Sequence, residues 1–230
     1  MRSQFGEDEY IIQKFFPHQR HGTYFEAGAM DGWLFSNTIR LAKRGFTGIL
    51  VEPNPDEFGK LRRNRPDDVL HQCTIGPAGT DTLSLNIIPS MSSTTFGSRF
   101  AGFTTRTVQV NRKPLTDILD GVDKIDFFSL DVEGAELSVL QTMKWEVPVM
   151  VWLIENHEGN ADFDAIRDLM KRRGYKFVER VHFNDVFVHP RFAYNPMVRY
   201  TYKNHSIDGI TSFATPLALL LVVMILIMSN

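Results

Sequence analysis

Cysteine is almost missing from this chain. Cys73 is the single thiol in 230 residues, which excludes an intrachain disulfide framework and a four-thiolate zinc site. The absence of cystines suits the cytosol without forbidding an oxidising lumen. A surplus of positive charge is missing too. With 25 Lys and Arg against 27 Asp and Glu, the formal net charge is −2, so the basic excess that marks nucleic-acid binders is lacking, and nucleic acid is not expected as a partner. Met1 to Tyr10 contain no apolar core of the signal-peptide kind, so no cleavable secretion signal is expected. At this length, with 43% hydrophobic residues, two full domains are not expected. The chain fits one α/β domain with a buried core, plus a tail.

The tail lacks charge altogether. From Ile210 to Met228 no charged residue occurs, and about 19 residues at ~1.5 Å per residue span roughly 28 Å, near the ~30 Å of a bilayer's hydrocarbon core. This predicts a transmembrane anchor at 210–228; the alternative, a buried C-terminal helix, offers no polar face for water. Arg191, Arg199 and Lys203 precede the span and only Ser229 and Asn230 follow it, which by the positive-inside tendency puts the folded domain on the cytosolic side. Small residues from Ser206 to Gly209 ahead of the apolar run also meet a loose lipid-anchor signal. The expected organisation is a domain over 1–190, a juxtamembrane linker over 191–209 and the anchor.

Within the domain, Thr23 to Phe25 form a short β-prone run that ends in Glu26, passes a loop holding Gly28 and Gly32, and enters a helix-like segment near Ser36. A strand, a glycine turn and a helix make a nucleotide-binding turn, because glycine lets backbone approach a ligand and helix amides point outward at the carboxyl edge of an open sheet. The bland alternative is an ordinary tight connection, and one glycine is missing, since Met30 stands where a middle glycine would. Thr47 to Val51 read as a second strand ending at Glu52. A carboxylate there, some way past Glu26, has the acceptors that both ribose hydroxyls require, although a solvated strand-end charge would look the same.

Glu7 to Phe16 have helical spacing ended by Pro17, and Ser36 can cap a helix running to Arg44. Pro55 to Arg65 predict a helix with Phe58 and Leu61 facing inward, and Val69 to Ile75 a third strand. Residues 82–88 and 105–110 alternate as a half-exposed hairpin would. The stretch between them, 89–104, reads equally as a lid or as a disordered loop. Ile125 to Leu130 form the strand that ends in Asp131, followed by Glu133 and Glu136 before a helix. The latter two fit plain helix-dipole partners, whereas Asp131 at the strand's edge is the better candidate for chemistry. Val149 to Ile154 end in Glu155, Asn156 and His157. His157 is the histidine at a predicted strand's carboxyl edge, hence a candidate base or simply a polar loop residue. A helix over 163–173 and an antiparallel pair, 175–181 with 185–188, complete the domain.

The run from Ile125 to Leu137 (IDFFSLDVEGAEL), with Phe25 to Gly32, Ser36-Asn37-Thr38, Val51 to Pro55, Ser3-Gln4 and Asp8, resembles the FkbM-type methyltransferase family over nearly all of residues 3–190. Within it the chain is most similar to the animal Star-like membrane-bound branch, although there the anchor precedes the domain. The resemblance implies an α/β fold: a Rossmann-like seven-stranded sheet, its last strand antiparallel, with helices on both faces. It implies S-adenosyl-L-methionine as cofactor. Glu26, Gly28 and Asp31 would line its loop, Glu52 would hold the ribose, and Ser36, Asn37, Asn54 and Asp131 would complete the binding set. Asp131 and Glu133 would face the methyl-transfer end, with His157 as base. Asp131, Glu155 and Asn156 also resemble the oxygen ligands by which catechol-type methyltransferases hold magnesium. Two functions follow: a membrane-tethered O-methyltransferase acting on an unidentified acceptor, or a catalytically inactive Star-like factor that uses the fold as a binding module for a client in endoplasmic reticulum and Golgi trafficking and growth-factor signalling.

Overall fold

A computed structural model describes residues 3–78, 82–88, 91–93 and 106–200. The elements are, in chain order, α1 (Glu7–Phe15), β1 (Thr23–Ala27), α2 (Ile39–Ala42), β2 (Thr47–Val51), α3 (Pro55–Asn64), β3 (Val69–His71), β4 (Thr74–Ile75), β5 (Thr82–Ile88) and β6 (Met91–Ser93). They continue with β7 (Arg106–Lys113), α4 (Leu115–Ile118), β8 (Ile125–Leu130), α5 (Glu136–Leu140), β9 (Val149–Glu155), α6 (Phe163–Arg172), β10 (Lys176–Val181) and β11 (Asn184–Val188).

The Rossmann-like sheet has seven strands in the order β10-β11-β9-β8-β1-β2-β3. Its centre is parallel, and β11, the last strand, runs antiparallel to both neighbours, as the resemblance implies. Alternation along each strand divides the core between the two faces. Phe25, Phe128 and Trp152 stack on one face, above Leu115, Val139 and Ile166 from α4, α5 and α6. Tyr24, Leu50, Phe127 and Val151 pack on the other against Ile11 and Phe15 of α1, Leu41 of α2 and Leu61 of α3. Every residue of β8 is buried, the mark of a strand covered on both sides.

Two expectations need correction. The strand foreseen over 69–75 divides: β3 joins the main sheet, whereas β4 pairs with the end of β7 in a second sheet of order β4-β7-β5-β6. The chain turns between them because Cys73 and Ile75 enter the core beside Leu115 and Ile118. The helix foreseen from Ser36 to Arg44 is only the four residues of α2. The hairpin expectation fares better, since β5 and β7 pair antiparallel. Most of 89–104 and all of 210–228 lie outside the described residues. Among the described residues, no helix is long and apolar enough to cross a membrane.

Candidate functional site

Strand register aligns the site. Ala27 pairs with Val51 of β2 and Leu130 of β8, and Leu130 pairs with Ile154 of β9. The next residue on each strand therefore falls in one row along the carboxyl edge: Glu52, Gly28, Asp131 and Glu155. Gly28 is obligatory in this row. Its φ is 79°, and a Cβ there would lie 1.9 Å from the carbonyl oxygen of Asp131, so only glycine lets β1 end so close to β8.

The turn after Gly28 is held from below. Oε2 of Glu26 accepts from Ser36 Oγ (2.8 Å) and Thr38 Oγ1 (2.6 Å), and Oε1 accepts the amide of Asn37 (2.7 Å). Ser36 Oγ also accepts the amides of Thr38 and Ile39, closing the turn ahead of α2. Asn37 donates from Nδ2 to Ser129 Oγ at 3.0 Å. Arg65 lies beneath, donating to Tyr24, Thr38 and the Gly32 carbonyl. Burial raises the Glu26 pKa against the opposing charge of Arg65 and the three hydrogen bonds. Above this network opens a cleft with about 310 Å³ of empty space, its mouth included, lined among others by Glu26, Gly28, Met30, Phe35, Asn37 and Asp131. Met30 (φ 47°) and Phe35 (φ 60°) both stand in the left-handed region, a cost that native folds concentrate at functional sites.

Acidic groups crowd the far end. Carboxylate oxygens of Asp131, Glu136 and Glu155 lie within 4.8 Å of each other. Burial, then the neighbouring acids, lifts Asp131 and Glu155 well above the usual carboxylate range. The same causes push Glu133 up to about 8. Glu136 accepts the amides of Val132 and Gly134 through Oε1 and so ties down the loop ahead of α5. His157 Nε2 lies 2.9 Å from Glu155 Oε1, and burial lowers the imidazole pKa.

The residues named from the sequence divide into two groups. Glu26, Gly28, Ser36, Asn37 and Asp131 line the cleft. Ser36 Oγ and the amide and Nδ2 of Asn37 are engaged in holding the turn. Glu52 lies at the edge of the turn, 5% exposed, with Oε2 accepting the Met30 amide and Oε1 the Asn54 amide, each at 2.8 Å; burial pushes its pKa up to about 7. Asp31 and Asn54 fall outside the cleft lining. Asp31 Oδ1 accepts the amides of Trp33 and Leu34, and Asn54 Oδ1 caps α3 through Asp56. Glu133 and His157 also lie outside the lining, joined to it through Asp131 and Glu155. Asn156 does not share a ligand set with Asp131 and Glu155: its Nδ2 donates to Asp185 (2.9 Å) and to the Phe163 carbonyl, and Glu136 takes the place near the other two acids. Ser129 was missed, although its position between apolar neighbours in a buried strand was a legible signal. Arg65 was missed with no sequence signal to find it.

The domain model described as Methyltransferase FkbM domain matches residues 26–177. The fold is similar to that of a TehB-like SAM-dependent methyltransferase from Corynebacterium glutamicum, with 13% identity, 81% of this chain and 88% of that chain covered, and a TM-score of 0.44. It is similar to a Methanococcus jannaschii fibrillarin pre-rRNA processing protein at 13% identity, 78% and 72% coverage and a TM-score of 0.46. It is also similar to the magnesium protoporphyrin IX methyltransferase of Synechocystis with bound SAM, at 10% identity, 74% and 70% coverage and a TM-score of 0.42. No curated protein matches the chain.

Proposed function

The chain belongs to the methyltransferase FkbM domain family, and from that premise we propose that it is an S-adenosyl-L-methionine-dependent methyltransferase acting on an acceptor hydroxyl and tethered to a membrane by residues 210–228. The observation that carries the reading is the aligned row Glu52, Gly28, Asp131 and Glu155 with the open cleft beside it. The residues fit the cofactor. Glu52 keeps a second lone pair on each oxygen, the capacity a ribose diol requires; Gly28 removes the side chain that would part the two strands; and Met30 forms part of the cleft wall. When bound, the cofactor supplies an electrophilic methyl group on a sulfonium. The chain supplies orientation and a place for the acceptor's proton, for which Asp131, with His157 behind it, is the candidate.

Calorimetric titration of the full chain in detergent with S-adenosylhomocysteine tests this. Saturable heat is expected, and Glu52→Ala weakens binding by about 1–3 kcal/mol because charge-assisted hydrogen bonds are lost. Absence of heat at millimolar ligand from a folded chain would overturn the reading.

Two observations favour a second reading. Met30 occupies a left-handed position suited to glycine, and the oxygens of Glu26 are already engaged by three protein donors. A catalytically silent, Star-like binding module in endomembrane trafficking is consistent with both facts, and it is the reading that a silent titration would leave.

A further inference from the structure

We propose that Ser129 is a positioning residue for the amino-acid end of the cofactor: it holds the side-chain amide of Asn37 so that Oδ1 accepts from the cofactor's ammonium group. The proposal rests on the reading of the cleft as a cofactor site. Ser129 of β8 and Glu26 of β1 are register partners, and between them they fix both the main chain and the side chain of Asn37. Oε1 of Glu26 accepts the Asn37 backbone amide at 2.7 Å, and Ser129 Oγ accepts from Asn37 Nδ2 at 3.0 Å. Ser129 is 1% exposed and stands between Phe128 and Leu130, both fully buried. A hydroxyl there adds nothing to packing that a methyl group would not, so its contribution is the bond to Asn37.

An asparagine side chain carries one acceptor oxygen and one donor nitrogen, and its partners decide which of them faces which way. With Nδ2 committed to Ser129, Oδ1 is the atom left for the cleft, whose wall includes Asn37. The make-up of that wall says which ligand group suits it. Its polar side chains are those of Glu26, Ser36, Asn37, Ser129 and Asp131, and no lysine, arginine or histidine is among the described residues that line it. Ser36 is already spent, donating to Glu26 and accepting the amides of Thr38 and Ile39. What remains is rich in acceptor oxygens, which match a group with several N–H donors; a carboxylate would meet no cation there. The ammonium of S-adenosyl-L-methionine is such a group. Ser129 acts on it only through Asn37.

Calorimetric titration of the full chain in detergent tests the assignment with a set of related ligands. These are S-adenosylhomocysteine, its decarboxylated form, which keeps the ammonium, its deaminated form, which keeps the carboxylate, and methylthioadenosine, which has neither. The wild-type chain is expected to bind the decarboxylated form about tenfold more tightly than methylthioadenosine, and the deaminated form no more tightly. Ser129→Ala is expected to weaken both ammonium ligands by about tenfold and to leave the other two within about twofold. Asn37→Ala gives the same pattern, and the double variant loses no more than Asn37→Ala alone, because the two residues act as one unit. Equal losses across all the ligands would mark Ser129 as structural only and overturn the proposal, as would losses that add in the double variant. A wild-type preference for the deaminated form over the decarboxylated one, a reading that needs no variant, would turn the amide around and sink it too. If S-adenosylhomocysteine binds without these differences, the role of Ser129 is lost and the methyl-transfer reading stands; if none of the ligands binds, the cofactor reading of the cleft falls.

Discussion

At the residue scale, the site is a set of side chains held in costly states, and each cost can be measured. Gly28→Ala places a Cβ against the Asp131 carbonyl at a positive φ, so the row must part; we expect a loss of about 3 kcal/mol in stability, read from denaturant midpoints, together with loss of cofactor binding. Met30→Gly has the opposite sign. Relief of a left-handed methionine outweighs the extra entropy glycine loses on folding, giving a gain of roughly 0.5–1 kcal/mol. The acids yield a pH profile. Burial raises Glu52 from 4.5 to about 7 and is the largest cause of raising Glu133 to about 8, so the folded chain binds protons that the unfolded chain has already released. The stability they contribute is whole below the unfolded value and is lost as pH rises through the folded one. Urea midpoints should therefore fall between pH 5 and pH 8, by roughly 2–3 kcal/mol for Glu52 alone. Glu179, whose pKa is lowered by Lys14 and Tyr10 against its burial, acts below this window, and a midpoint that rises from pH 5 to pH 8 would contradict the assignment.

Elements place these residues, and at this scale the sequence was most readable. Ile125 to Leu130 read as a strand from composition, and the register of β1, β2, β8 and β9, which the structure supplies, brings the strand ends into one row. Reading a strand end therefore located Gly28, Glu52 and Asp131 correctly along one edge. Sequence could not reveal which polar atoms were already taken. Asn54 reads as a ligand and serves as a cap, and Asn156 reads beside Glu155 but turns to the far side, because Asp185 of β11 waits there with Arg167 and Arg180. Contacts of that kind join residues tens of positions apart and leave no local pattern. Asp185 is 0% exposed and ties α6, β10 and the Asn156 turn together. Asp185→Ala leaves its arginines without their shared carboxylate, and we expect a cost of about 3 kcal/mol, with looser His157 resonances as a local sign.

Across the whole molecule, the stretch after β11 joins the domain to whatever lies beyond it. Phe192, Tyr194, Val198 and Tyr200 pack on the α1 side of the core. Lys14, 1% exposed and paired with Glu179, donates to the Val198 carbonyl, and Tyr200 Oη donates to the carbonyl of Phe5 at 2.8 Å. Phe5 in turn stacks on His182 with centroids 3.6 Å apart, next to Phe183, whose ring lies 4.8 Å from that of His157. The last described residue is thus joined through a hydrogen bond and ring contacts to the surroundings of His157. Nine residues separate Tyr200 from Ile210, a reach of at most roughly 30 Å, so an anchor at 210–228 would hold Tyr200 within that distance of the bilayer surface. Leu220→Arg and Val223→Arg each cost about 2.5–3.5 kcal/mol at the centre of a span. The double variant is expected to leave the membrane on carbonate extraction and to keep its affinity for S-adenosylhomocysteine, because the cleft does not use the span. Retention of the double variant in the carbonate-resistant fraction would remove the anchor. An acceptor for glycosylation appended after Asn230 then fixes the facing: its modification places the tail in the lumen and the cleft on the cytosolic side, whereas modification of an acceptor inserted within 89–104 reverses that orientation.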